Sequence, residues 1–309
     1  MMKFNTLFIA GLFCICLNLN AQENSMDYFD RPAVYEAGIS LGPMNSLTDV
    51  GGRKGNGTWG VKDLNLKNTT LSGGAFIRVV YKNAFAIRAE LNAGRVKGND
   101  SVLAEVKSTA FDRYNRNLSF RSNIFEVNFL GELYPLTLFG TQGSVYYPGA
   151  VSPYFVLGFG FFHFNPQAKL NSKWVDLQPL RTEGEGFAEY PDRKVYHRTQ
   201  LSIPLGFGGR YQVSERINLS MEFLFRKLFT DYLDDVSTTY IEPSLFQKYL
   251  SGADLANALA LNNRVRTDDN PNRKVSAGDR RGNSDRNDHY FSLNFKIAYV
   301  FHYKLPTRL

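Results

Sequence analysis

Between positions 289 and 303 the side chains sort by parity. Phe291, Leu293, Phe295, Ile297, Tyr299 and Phe301 fall on one face, and Ser292, Asn294, Lys296 and Ala298 on the other. A period of two with one apolar side is the pattern of a β-strand. Seven earlier segments repeat it, at 34–42, 75–81, 85–96, 120–134, 154–164, 199–211 and 217–226. In the sixth, for example, Leu201, Ile203, Leu205 and Phe207 oppose Ser202, Gly206, Gly208 and Arg210.

Alternation alone does not separate a soluble β-sandwich from a membrane barrel, because each has one apolar face. The connections separate them better. They run long (43–70), short (82–84), long (97–119), medium (135–153), long (165–198), short (212–216) and long (227–288). Tight turns at one end and long loops at the other are the habit of outer-membrane barrels, and eight strands place both termini at the tight-turn end. The expectation is an all-β fold, an eight-stranded antiparallel transmembrane β-barrel over 22–309 with long outer loops.

The remaining composition agrees. Residues 1–21 read as a secretory signal peptide, with Lys3 as its positive region, an apolar stretch at 7–17 and Ala21 before the cleavage point. Eleven apolar residues are too few for a helical span, and no later stretch approaches the roughly 18 such a span needs. Both cysteines, Cys14 and Cys16, lie in the signal, so neither a disulfide framework nor a cysteine zinc site is expected beyond it. Aromatic residues make up 14% of the chain, which suits a lipid-facing surface. The net charge of +7 is diffuse. It points to an anionic membrane surface as partner, with outer-membrane lipid around the barrel, and not to nucleic acid.

The polar face carries five carboxylates, Glu36, Glu90, Glu126, Glu132 and Glu222, and five cations, Arg78, Arg88, Arg210, Arg226 and Lys296. An eight-stranded barrel has an interior just wide enough to be filled by side chains. Buried charges left unpaired are costly, so the ten are expected to pair with one another and close the lumen to general diffusion.

Several elements also resemble a family of small outer-membrane barrels that includes PorG of the type IX secretion apparatus. They are YEAGISLG at 35–42, ELYPLTLF at 132–139, PYFVLGFG at 153–160, SIPLGFGGRY at 202–211, FTDYLDDVSTTY at 229–240, RGN at 281–283 and DHY at 288–290. FTDYLDDVSTTY is the most distinctive of them. The resemblance implies a non-catalytic accessory barrel associated with periplasmic ring proteins of PorK and PorN type. Two features depart from it: the loops at 97–119 and 165–198 are long, and the chain continues through 304–309 past the aromatic pair Phe301 and Tyr303. A structural or adhesin-type barrel with surface-binding loops is the alternative.

Candidate chemistry is sparse. Asp231, Asp234 and Asp235 crowd the start of the longest loop. Hard carboxylate oxygens suit calcium, but the spacing fits no EF-hand, and the plainer account is a rim where they meet Arg280 or Arg281. His163 and His197 flank the third long loop without any nucleophile signature, so no enzyme, cofactor or small-molecule substrate is expected. Residues 242–261 have helical spacing, with Pro243 in the first turn. Leu138, Phe139, Tyr146 and Tyr147 place apolar surface on a generous tight-end connection, a candidate periplasmic contact.

Overall fold

The computed structural model describes residues 33–52, 66–103, 111–139, 151–268 and 270–301. The signal segment, His302, the tail, Tyr146, Tyr147 and the side chain of Phe139 lie outside the described residues. Leu138 is exposed on a short helix after the fourth strand.

Each alternating segment forms a strand. These are β1 (Ala33–Leu47), β2 (Thr70–Tyr81), β3 (Phe85–Asn99), β4 (Ser119–Leu133), β5 (Val151–Leu170), β7 (Thr199–Gln212), β8 (Ile217–Leu228) and β9 (His289–Phe301). A further short strand, β6 (Lys173–Asp176), pairs with the outer end of β5. The eight long strands pair antiparallel with their neighbours in sequence, β9 pairs with β1, and β4 pairs with β5. The sheet is therefore a closed eight-stranded barrel with no free edge, which satisfies the backbone where water is absent.

Parity then sorts every strand into an outside and an inside. Outward positions stay apolar over 85–93 in β3, 125–133 in β4, 153–161 in β5 and 217–225 in β8, nine residues each. That is about the length of 9–11 residues a tilted strand needs to cross the hydrocarbon core. At the tight-turn end the band closes with exposed aromatic residues, Tyr35, Tyr81, Phe85, Tyr299 and Phe301. At the long-loop end it stops at polar outward positions, with Arg95 opposite Asn123, His163 opposite Thr199 and Lys227 opposite His289. Large apolar side chains facing outward across one continuous band are explained by lipid contact.

Several strands outrun the alternating segments that announced them. β2 begins at Thr70 and not at position 75, and β5 continues to Leu170. β5 then reverses through Asn171 and Ser172, both with positive φ, the backbone of a two-residue hairpin turn. Above the band β5 turns outward with Asn165, Gln167 and Lys169, so the apolar half of its pattern is missing, and in β2 Gly73 and Gly74 interrupt the alternation after Leu71. The helix expected over 242–261 is broken into α3 (Phe246–Tyr249) and α4 (Gly252–Asn262), preceded by a turn of 3-10 helix at Pro243–Leu245. Leu250 and Ser251 are extended and Gly252 has a φ of 57°, which interrupts the helical ladder. Two further helices are α1 (Phe111–Arg116) and α2 (Pro135–Phe139).

Leu157 stands at the middle of the outward band of β5 and is 64% exposed. Leu157→Lys is expected to weaken folding into lipid vesicles by about 2–4 kcal/mol, the cost of a midplane cation on a barrel's lipid face. Unfolding titrations in urea with the barrel in vesicles measure it, and an unchanged midpoint would place this face away from lipid.

Candidate functional site

The inside of the barrel is a layer of charge between apolar ends. Eight of the ten expected residues form one network drawn from seven strands. Glu36 of β1 takes Arg78 of β2 and Arg210 of β7, and also accepts from Asn218 Nδ2 at 2.9 Å. Arg78 reaches Glu132 of β4 at 3.2 Å, and Arg88 of β3 meets the same carboxylate. Arg88 continues to Glu222 of β8 at 2.9 Å. Its Nε sits 2.8 Å from Glu90 but off the line of a hydrogen bond, so that contact is coulombic. Lys296 of β9 joins Glu90 and Glu222, each at 2.8 Å. The remaining two residues, Arg226 and Glu126, pair nearer the outer end, where the Tyr290 hydroxyl donates to Glu126 at 2.6 Å.

Register explains how the layer holds together. Arg78 and Arg88 lie directly opposite one another, an unfavourable cross-strand pair of like charges. Glu132 accepts from both and turns the repulsion into a bridge. Room for such long side chains comes from small residues on β5 and β7. A Cβ on Gly208 would lie 2.6 Å from the Tyr154 ring, whose hydroxyl donates to Glu222 at 3.0 Å. Apolar clusters fill both ends, one including Val34, Val80, Tyr134 and Val300, the other Met44, Phe120, Phe162 and Tyr290.

Over the outer mouth the long loops fold into a cap with its own core. Leu177, Leu180 and Phe187 of the third loop pack on Ile241, Phe246 and Leu261 of the fourth. A polar spine ties all four outer loops together. Arg281 donates to Glu183 Oε1 at 2.9 Å and to the carbonyl of Asp235 at 2.7 Å. Glu183 also accepts from the backbone N–H groups of Ser237 and Thr238. Arg116 donates to the Arg281 carbonyl, to the Asp49 carbonyl and to both oxygens of Asp100. Gly282 is required at this crossing, because a Cβ there would come within 2.6 Å of the Ser237 backbone.

The rim carboxylates sit differently from the sequence expectation. Among the described residues, neither Arg280 nor Arg281 hydrogen-bonds a side chain of Asp231, Asp234 or Asp235, although the Arg281 charge acts on the Asp235 carboxylate. Asp235 has a φ of 65°, which turns its carboxylate to the Thr182 and Tyr196 hydroxyls and its carbonyl to Arg281. Asp234 caps the N–H groups of Val50 and Val236, while Arg280 donates to the Gly282 carbonyl. Sequence reasoning missed Glu183, Asp100, Arg116 and Asp49. The acid–glycine alternation of Glu183, Gly184, Glu185 and Gly186 was the available signal for the first, since Gly184 and Gly186 both have positive φ.

This region holds more buried carboxylates than cations. Burial and the neighbouring Asp49 push Asp231 up to about 9, and its Oδ2 has no hydrogen-bond partner among the described residues. Burial and Asp235 push Glu185 up to about 8. Burial, aided by other aspartates, holds Asp234 and Asp288 well above the usual carboxylate range. Among the described residues no three acidic or imidazole groups converge as a metal ion would require. The histidines stand apart: His163 Nδ1 lies 2.9 Å from the Thr199 hydroxyl on the outer wall, and His197 lines an open cleft with Leu201 and Phe229.

The closed cylinder, apolar band and unequal ends define the class, an outer-membrane-type β-barrel with a filled lumen. No family model matches the chain, and no curated relative matches it. It is similar to three solved structures among others. Ail, the attachment invasion locus protein of Yersinia pestis, in complex with the heparin analogue sucrose octasulfate, is 10% identical over 86% of this chain and 99% of that one, with a TM-score of 0.36. Neisserial surface protein A is 9% identical over 88% and 100%, with a TM-score of 0.34. OprG of Pseudomonas aeruginosa is 9% identical over 88% and 96%, also at 0.34. Likeness at these identities and scores carries no argument about what this chain does.

Arg88 faces three carboxylates, Glu90, Glu132 and Glu222, so Arg88→Met is expected to destabilise the barrel by about 3–5 kcal/mol. Denaturant unfolding in detergent measures the loss, and a change under about 1 kcal/mol would contradict a mutually paired network. The cap responds to pH in a definite direction. Asp231 and Glu185 hold protons in the folded cap that the open loops release above about pH 4, so the cap is firmest in acid and loosens as pH rises through about 8 to 9. Limited proteolysis within 263–288 should quicken by about tenfold or more between pH 5 and pH 9, and Asp231→Asn should flatten that dependence.

Proposed function

We propose that this chain is a non-catalytic outer-membrane barrel serving as an accessory component of type IX protein secretion, tethering periplasmic machinery to the outer membrane. One observation carries the reading: three of the elements behind the PorG-like resemblance lie against one another at the outer end of the barrel. The N–H groups of Arg281 and Gly282 both donate to the Thr238 carbonyl, joining RGN to FTDYLDDVSTTY. The Asp288 N–H donates to the Thr230 carbonyl and the Asp288 carboxylate accepts from Leu233, joining DHY to the same element. Three separated motifs are thus one structural unit, which supports reading them together and not as chance matches. The filled lumen suits a tether and not a conduit. Ring proteins of PorK and PorN type are the partners on this reading, met at the tight-turn end where Leu138 is exposed.

A second reading is a surface adhesin, favoured by the exposed cations Lys194, Lys274 and Arg286 on the cap. Disrupting the gene separates the two. Loss of secreted proteins from the medium is the expected result, whereas intact secretion with altered attachment would transfer the assignment to the adhesin. Deleting residues 140–144 should also abolish co-purification with a ring component, and undiminished recovery would remove that contact.

A further inference from the structure

We propose that the outward wall where β3, β4 and β5 stand above the apolar band is a docking surface for the phosphorylated headgroup of an outer-leaflet lipid. The wall begins where the band ends: Arg95 is the next outward position after Ala93, and Lys97 follows it. On the neighbouring strand Lys97 lies directly opposite Arg121, and Arg95 opposite Asn123. Three cations therefore share two adjacent rungs on one face. Such like-charge pairs are unfavourable unless something anionic joins them.

The lumen of the same protein solves an equivalent problem internally, where Glu132 bridges the opposed Arg78 and Arg88. On the outer wall no described carboxylate plays that part. Asp176 acts on Arg121 by charge but forms no ion pair with it, and its Oδ1 accepts from Asn165 at 3.0 Å and Gln167 at 2.6 Å. The arginines are nevertheless held in place. Arg95 Nε donates to Asn123 at 2.8 Å, and Arg121 Nε donates to Gln167 at 2.9 Å while its guanidinium lies 3.8 Å over the Trp174 ring. Amide partners and an indole face fix the two forks, and the one carboxylate acting on Arg121, Asp176, leaves three cations against a single charge, which is the preparation a phosphate needs. Height selects the source of that phosphate. The rungs sit immediately above the last lipid-facing residues, beside an exposed tryptophan, at the level where headgroups lie. This surface does not depend on the secretion reading.

The test uses the folded barrel in phosphatidylcholine nanodiscs seeded with diphosphorylated lipid A or with its dephosphorylated form. Native mass spectrometry counts the lipid retained after transfer to detergent. The barrel is expected to retain the diphosphorylated form at least about tenfold over the other. Loss of each cation should lower retention roughly fivefold, so Arg95→Gln with Lys97→Gln and Arg121→Gln lowers it up to about a hundredfold. The charge-matched control Lys82→Gln with Lys194→Gln and Lys274→Gln should retain it fully, and heat-modifiable mobility on gels verifies folding of both. Equal retention of the two lipids, or by both triple variants, would overturn the proposal. So would complete displacement by millimolar pyrophosphate at constant ionic strength, which would assign the wall to a soluble anion.

Discussion

An eight-stranded cylinder leaves an interior of about one side chain's reach from every wall, and the rest of the molecule answers to that constraint. Inward residues largely pack or pair with one another, because lipid cannot reach them. Glycine on one strand is matched by a larger side chain on the next, as Gly208 is by Tyr154 and Gly38 by Phe76. Charges enter only with their complement, so five carboxylates and five cations end in two closed sets of contacts. Since the larger set draws on seven of the eight strands, it fastens the ring across its diameter while backbone hydrogen bonds fasten it around its circumference.

The cap obeys the same need under different solvent conditions. It lies above the band, where protons can exchange with water, so it tolerates carboxylates that outnumber their cations by keeping some of them protonated. Asp231 and Glu185 illustrate this, and Glu183 illustrates the other solution, a carboxylate saturated by Arg281 and two backbone N–H groups. The lumen is arranged for permanent charge and the cap for conditional charge.

What could be read from sequence follows from this division. A bilayer imposes a fixed band length and a strict inside and outside, so the eight strands and the ten lumen charges stood out by parity alone. Above the band the outside of β5 turns polar and alternation fades although the strand continues, while Gly73 and Gly74 interrupt it in β2, which is why the start of β2 and the hairpin of β5 with β6 were not legible. The cap was opaque for another reason. Its central ion pair joins Glu183 to Arg281 across 98 positions, and the backbone conformation of Asp235 decides which of its groups meets that arginine. The two ends of the longest loop meeting at the rim suggested Asp231, Asp234 and Asp235 as partners for Arg280 or Arg281. Geometry gave the hydrogen bonds of those carboxylates to hydroxyls and backbone N–H groups instead, and leaves Arg281 to meet Asp235 through its carbonyl and by charge.

A filled lumen and an interlocked cap also limit how such a protein can work. Moving a solute through the barrel would require parting Arg88 from three carboxylates at once, each separation exposing charge in a low-dielectric space. Passing a conformational signal through it would meet the same barrier, since any rearrangement must first part buried ion pairs. Function is thereby confined to surfaces: the wall that meets lipid, the cap that faces outward and the turns that face inward. A rigid body with three separate faces can act on its partners by holding them at fixed distances across the membrane, and that requires no movement inside it.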